Sequence, residues 1–505
     1  MATNLHLPST LTSHADVLEI FDVEYCQPVG CSLDTFLDSL RTPPLSTVLR
    51  YNHSEIDDSI PLEEQERIIR EGLQTVNKER LLGRSLKINQ VAGLSDVWTC
   101  EVEDSGSDVY PVEDDEEKPM NVIVDTAAGE ALLRGSNLFA SGILACIGNM
   151  RAGQRVSVYC DVEKKCLKGR VANFLGELYF VGSGIAQVHR TDLYTHQPIN
   201  GIGILMDRPR FNLLSLSEFL TSHPSFSSPN LPSCVAVQVL GPQPQETILD
   251  CCAAPGGKTL HIASLMRNTG RIIAVEKSSE RAEKLRRATA HCRNVNVVCA
   301  DVSKLRDNTK ADLPTSFDRI LVDAPCSASG QRPRLSFRSL QVNQLESCPK
   351  VQKKILHSIV PLLKSGGGRL VYSTCSVLRR ENEDVVAWLL RQHPELRLCQ
   401  QTPHFGGVGF PVSGLTSQQS GLLQRFSMLP GVDGDSIGFF VALFEKVCQR
   451  SLRVVGWATD KLFALSGPPT GVQGPSRPSL KIPLIIRADA VTDTLGPRLR
   501  DRTDI

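Results

Sequence analysis

Long apolar runs are missing from this chain of 505 residues. None reaches the roughly 18 consecutive residues that a membrane-spanning helix requires, so no membrane association is expected. The first 13 residues lack a basic stretch followed by an apolar core, so no secretory signal is read there. Paired C-x(2–4)-C knuckles are missing too. The nearest spacings among the 16 cysteines are Cys26/Cys31, Cys160/Cys166 and Cys251/Cys252, and no metal site is expected from them. Cysteines in a long chain without a signal read as reduced thiols, which places the protein in the cytoplasm as an expectation. No repeat with a period of 20–50 residues is evident.

Net charge is also lacking: 55 Lys and Arg stand against 55 Asp and Glu. Nucleic-acid binders usually carry a basic surplus, so the balance first argues against one. The distribution reverses that reading. Residues 1–150 hold 10 basic and 26 acidic side chains, whereas residues 151–505 hold 45 and 29. Neutrality is a cancellation, and a nucleic acid is expected to approach the later, basic part with the acidic front facing away. Composition is otherwise that of a globular protein, 41% hydrophobic and 22% charged, which excludes a wholly disordered chain.

Four stretches differ in character. Residues 1–119 are polar and acidic. They contain a helix-like segment over 62–82, with Ile68, Ile69, Leu73 and Val76 near helical spacing, and an acidic run at 113–117 read as a solvated loop. Residues 120–206 carry short β-branched or aromatic runs punctuated by glycines, as in a small β-barrel or sandwich. Residues 207–446 alternate strands, at 247–251, 271–275, 295–299, 319–322, 369–372 and 439–444, with helices between. That alternation predicts an α/β fold with a doubly wound, mostly parallel sheet. Residues 447–505 contain Pro and Gly without periodicity and read as a disordered tail.

Ligands in such sheets sit at the carboxyl ends of the strands. The first loop there reads Cys252-Ala253-Ala254-Pro255-Gly256-Gly257-Lys258-Thr259. It lacks the first glycine of a P-loop, which argues against a nucleoside triphosphate. What remains is close backbone approach to a ligand and free N–H groups at a helix start. Glu276 ends the second strand, where an acid accepts from a ribose diol, and Asp301 follows the third, placed for an adenine amino group. Together they describe an adenosine-shaped site. The fourth strand leads into Asp323-Ala-Pro-Cys326-Ser and the fifth into Ser373-Thr-Cys375-Ser, followed by Glu381-Asn-Glu383. Two cysteines thus emerge at adjacent strand ends, and thiols in such settings become nucleophiles.

These motifs resemble those of the Nop/Sun family of RNA cytosine-5 methyltransferases, over about residues 207–446 and ending at Asp435-Ser-Ile-Gly-Phe-Phe440. The segment 122–206, with Ala131-Leu-Leu-Arg134-Gly135-Ser and Gly182-Ser-Gly184, resembles a PUA domain, an RNA-binding β-barrel. That order, after a segment containing Arg50-Tyr-Asn52, is similar to the PUA-bearing branch of the family. The resemblance implies a Rossmann-like methyltransferase domain using S-adenosylmethionine. The implied substrate is cytosine near the acceptor end of tRNA, and in messenger RNA stem-loops. No obligate protein partner is evident.

By the same resemblance Cys375 is the nucleophile at carbon 6 of the base, Cys326 assists release, and Asp323 hydrogen-bonds the ring. Lys258 lies at the cofactor loop beside the base, and the base must be single-stranded or flipped. Cofactor contacts are expected from 252–258, Glu276, Asp301 and Asp323. RNA contacts are expected from Arg134 and from Lys164, Lys165 and Lys168 on a turn of the PUA-like segment. The basic residues Lys277, Arg281, Lys284, Arg286 and Arg287 read as a solvated helix face. Two departures stand out: Ala328 where the family commonly has Gly, and Glu276 where Asp is commoner. The alternative is a PUA-led RNA-binding scaffold with an inactive methyltransferase domain. A DNA methyltransferase, attacking with the Pro-Cys thiol, is disfavoured by the second thiol at Cys375.

Overall fold

A computed structural model describes residues 15–53, 60–81, 83–103, 120–195, 199–307, 313–336, 340–429 and 435–448. The acidic run at 113–117 and the expected disordered tail from 449 onward lie outside the described residues.

The later part of the chain is built on an eight-stranded sheet. Its strands are β1 (Thr247–Cys251), β2 (Arg271–Glu276), β3 (Val295–Cys299), β4 (Arg319–Asp323), β5 (Gly368–Thr374), β6 (Leu396–Leu398), β7 (Gln424–Phe426) and β8 (Phe439–Lys446). The order is β3-β2-β1-β4-β5-β8-β6, with β7 also paired to β8. The first five strands run parallel, and β8 is antiparallel to β5. Strands covered on both faces read as unbroken apolar runs, which is why Ile272-Ile273-Ala274-Val275 was legible. Helices α1 (Leu231–Leu240), α2 (Gly257–Leu265), α3 (Ser279–Ala288), α4 (Val342–Ile359) and α5 (Glu383–Gln392) connect or cover them. One core below the sheet gathers Leu249, Ile273, Val322, Ile355, Leu356 and Phe440, among others.

The described residues 15–53, 60–81 and 83–103 are folded. Strands Thr47–Tyr51, Leu86–Gln90 and Val97–Val102 form an antiparallel sheet whose fourth strand, Phe226–Ser227, comes from beyond the expected boundary at 206. Leu49, Tyr51, Leu73, Trp98, Leu214, Phe219 and Phe226 share its core. The helix expected over 62–82 divides at Asn77. Its side chain donates to the Leu73 and Ser215 carbonyls and accepts from Ser215 N–H at 2.6 Å, fixing the chain there. Helices Ala15–Phe21 and Leu33–Arg41 pack Phe21, Phe36 and Leu40 against Leu345, Val377 and Met428 of the later part of the chain.

The middle unit is a six-stranded sheet in the order Leu138–Phe139, Ile202–Pro209, Leu178–Ala186, Arg155–Asp161, Met120–Val124, Ile143–Cys146. Strand Ile202–Pro209 runs through residue 206, so the expected boundary cuts a strand. Nothing in the local sequence marks this, because the strand's partners lie 18 and more residues upstream.

Candidate active site

Parallel register brings the carboxyl ends of five strands to one edge. Asp323 pairs with Ser373 across β4 and β5, so the Ser373 hydroxyl donates to Asp323 at 2.9 Å. The other Asp323 oxygen accepts from Lys258 Nζ at 2.8 Å. Burial works against the Lys258 ammonium, but the Asp323 charge outweighs it and holds the pKa above the usual lysine value. Lys258 also lies 5.4 Å over the Phe439 ring. Beside this pair, Cys326 and Cys375 place their Sγ atoms 3.3 Å apart. A hydrogen bond from Cys326 lowers the Cys375 pKa. Burial and Asp323 oppose it, while Gln331 and the Lys258 ammonium favour the thiolate. The same contact, with burial, pushes Cys326 up. Two like groups that share one proton separate in this way.

The cysteine loops are tied from beneath by Glu381, which is fully buried. It accepts from Ser327 N–H at 3.0 Å, from Ser376 Oγ at 2.9 Å and from Gln352 Nε2 at 3.0 Å, so one carboxylate spans both loops. Ser329 bonds Ser376 at 3.0 Å and accepts from Val377 N–H. Gly330 donates its N–H to the Cys375 carbonyl and accepts from Gly438, an approach so close that a Cβ on Gly330 would collide with the Gly438 carbonyl.

Ala328 sits at φ +54. A left-handed alanine costs roughly 1–2 kcal/mol, partly offset in glycine by its freer unfolded chain. Ala328→Gly should therefore raise stability by about 0.5–1 kcal/mol, read as a higher urea midpoint; a lower midpoint contradicts this.

The 252–258 loop separates two cavities. One, of about 540 Å³, is lined by Cys252, Glu276, Asp301, Val302, Pro325 and Ile355, among others. Glu276 accepts from Ser278 N–H at 2.9 Å. Its other oxygen, 3.5 Å from Arg281, has no hydrogen bond. Ser303 hydroxyl and N–H bonds, aided by Lys277 against some burial, hold the Asp301 pKa down at about 2. The second cavity, of about 380 Å³, is lined by Cys252 to Pro255, Gly257, Lys258, Asp250 and Asp323. Gly256 lines neither, and at φ +115 a side chain there would meet Leu285 at 2.9 Å.

Asp250, in the apolar β1, accepts from Thr259 Oγ1 at 2.6 Å and leaves its second oxygen unpartnered. Burial pushes its pKa up to about 7. A folded-state pKa above the unfolded value near 3.9 gives stability that is full below about pH 4 and lost as pH rises toward 7, at most about 4 kcal/mol. Without cofactor, the fall in unfolding temperature from pH 4 to pH 8 should be smaller for Asp250→Asn than for the unaltered protein. Equal falls contradict this.

Residues 237–445 match the family model described as 16S rRNA methyltransferase RsmB/F. The chain is 40% identical to the tRNA (cytosine(72)-C(5))-methyltransferase NSUN6 of Mus musculus over 362 residues, 65% of this chain and 75% of that protein. It is 35% identical to the Homo sapiens protein of the same name over 445 residues, 82% of this chain and 91% of that one. The chain belongs to the Nop/Sun family. A crystal structure of NSun6 from Pyrococcus horikoshii with SFG superposes at a TM-score of 0.67 with 28% identity, covering 86% of this chain and 98% of that one.

The motifs at 252–258, 323–327 and 373–376 lie at neighbouring strand ends, with Glu276 ending β2 and Asp301 following β3. Other residues at the site carried no such signal. Arg281 is exposed, as expected of a solvated face, and also donates to the Ala254 carbonyl of the 252–258 loop at 2.6 Å, since it follows the Ser278 cap by one turn. Lys284, Arg286 and Arg287 pair with Glu280 and Glu283 on the outer face. Asp250 was detectable as a lone charge inside an apolar strand, and Glu381 as an acid close after Cys375; Gln331 had no signal. Arg134 is exposed and lines a groove of about 430 Å³ near the site. Lys164, Lys165 and Lys168 are exposed on the connection between strands Arg155–Asp161 and Leu178–Ala186, with Lys165 paired to Glu163; they line neither the groove nor the two cavities. Among the described residues no group of three or more His, Cys, Asp or Glu is arranged for a metal, and no helix is long and apolar enough to cross a membrane.

Proposed function

We propose that this protein transfers a methyl group from S-adenosylmethionine to carbon 5 of a cytosine near the acceptor end of tRNA, in the cytoplasm. The observation that carries this reading is the pair of thiols 3.3 Å apart, beside the Lys258–Asp323 pair that lines the 380 Å³ cavity. The residues present fit the cofactor. Asp250 and Glu276 each hold a buried carboxylate oxygen without a hydrogen-bond partner, matching an α-ammonium and a ribose diol, and Asp301 suits an adenine amino group. The backbone of 252–257 supplies close approach to the methionine portion. When bound, the cofactor supplies an electrophilic methyl group.

Carbon 5 of cytosine is a weak nucleophile. The Cys375 thiolate adds to carbon 6, which makes the ring enamine-like. Lys258, held as an ammonium, donates to the ring edge where charge gathers, and Asp323 hydrogen-bonds the base while keeping Lys258 in place. After methyl transfer, Cys326 assists loss of the carbon-5 proton, and the carbon–sulfur bond to Cys375 breaks. The six-stranded middle unit serves as a PUA-type RNA-binding domain, with Arg134, Lys164, Lys165 and Lys168 as backbone contacts.

The test is incubation of tRNA transcripts with S-adenosylmethionine and mass spectrometry of the digested nucleosides. 5-Methylcytidine should form and disappear when cytosine 72 is replaced. Cofactor binding without 5-methylcytidine on any tRNA favours the scaffold alternative.

A further inference from the structure

Arg50 comes from strand Thr47–Tyr51 of the N-terminal sheet, yet it lines the 380 Å³ cavity together with Lys258 and Asp323. It is 2% exposed. Its nearest counter-charge, Asp96 Oδ2, stands 3.8 Å away, beyond hydrogen-bonding distance, and is shared with His261 Nε2 at 3.2 Å. Arg50 Nη1 has no hydrogen-bond partner. Burial, then the Arg50 charge, lowers the His261 pKa to about 4, so the imidazole is neutral and Asp96 carries one charge for one guanidinium. A buried guanidinium with an idle donor costs more than a native fold usually tolerates, unless a ligand meets it. The planar fork of arginine matches phosphate oxygens.

The cavity also indicates which ligand. It shares Ser228, Pro229, Asn230 and Gln331 with the outer groove, whereas Asp250 and Cys252 to Pro255, given above to the methionine end of the cofactor, form another part of its lining, and the larger cavity with Glu276 and Asp301 takes the adenosine. The groove opens between residues 43–48, Arg134 and Arg332. Gln331, where groove and cavity meet, is near enough to Cys375 to favour its thiolate. A strand entering by the groove would pass Arg50 on its way to the thiols. We propose that Arg50 is a subsite for an RNA phosphodiester next to the target nucleotide, so that the N-terminal sheet completes the active site. This rests on the RNA-methyltransferase reading above.

The test uses Arg50→Gln and Arg50→Lys in the full chain. RNA affinity is measured against salt, and cofactor affinity by calorimetry. Losing one phosphate contact should flatten the slope of log Kd against log salt by about 0.7 in Arg50→Gln, with Arg50→Lys keeping most of it. Cofactor affinity should stay within about threefold in both. A methylphosphonate at the linkage flanking the target cytosine should weaken binding by the unaltered protein about tenfold or more and leave Arg50→Gln nearly indifferent. The proposal is overturned if Arg50→Gln responds to the methylphosphonate as the unaltered protein does, or keeps its salt slope. It is also overturned if the variant loses cofactor affinity instead, which assigns the guanidinium to the cofactor carboxylate. Failure of the parent reading looks different: normal RNA affinity and salt slope with no 5-methylcytidine formed.

Discussion

Cys375→Ala should lose methyl transfer by at least about 1,000-fold, while cofactor affinity and RNA affinity stay within a few-fold. The reason is the placement of the thiol rather than its presence. Cys375 follows β5 directly and accepts a hydrogen bond from Cys326. Its carbonyl is held by Gly330 N–H and its loop by Ser376, Glu381 and Asn382. The Cys375 side chain itself contributes little to that scaffold, so alanine removes the nucleophile and leaves the frame. A variant that turned over at more than a tenth of the normal rate would remove Cys375 from the chemistry. Loss of cofactor binding in the same variant would mean that the loop had collapsed instead.

Cys326→Ala should do the opposite: turnover stops, but RNA remains attached. With Cys375 alone, addition to carbon 6 and methyl transfer still proceed, while loss of the carbon-5 proton and elimination slow. A protein–RNA adduct should then survive a denaturing gel, form only with cofactor present, and vanish in the double Cys326→Ala/Cys375→Ala variant. The same alanine also frees Cys375 from a neighbouring hydrogen-bond donor, so adduct formation itself should be slower than in the unaltered protein. An adduct-free, fully active Cys326→Ala protein would contradict the two-thiol scheme.

Much of this site was legible because its residues are local to strand ends. Parallel strands buried on both faces leave continuous apolar runs, and each run here delivers its loop to the same edge; 247–251 and 295–299 coincide with β1 and β3 to the residue. Chemistry at such ends can be read from one stretch of sequence at a time. The remainder depends on contacts between distant segments. Phe226 completes a sheet begun at Thr47, and Arg50, Asp96 and His261 meet from three separate stretches. No periodicity links them. Ala328 shows a third case: its identity was noted, but only the φ of +54 reveals that the loop keeps a glycine-like conformation with an alanine in it. Glu276 is similar. One of its oxygens folds back on Ser278 N–H and the other has no hydrogen-bond partner, which its identity alone does not show.

The assignment of Cys375 rather than Cys326 as the attacking thiol is the centre of this account, and peptide mapping of the trapped adduct tests it most directly. The Cys326→Ala adduct is digested with protease and nuclease, and the peptide carrying the nucleotide is sequenced by mass spectrometry. The expected result is a methylated cytidine nucleotide on the peptide that contains Cys375. Adduct formation by Cys375→Ala instead, with the nucleotide on Cys326, would contradict it.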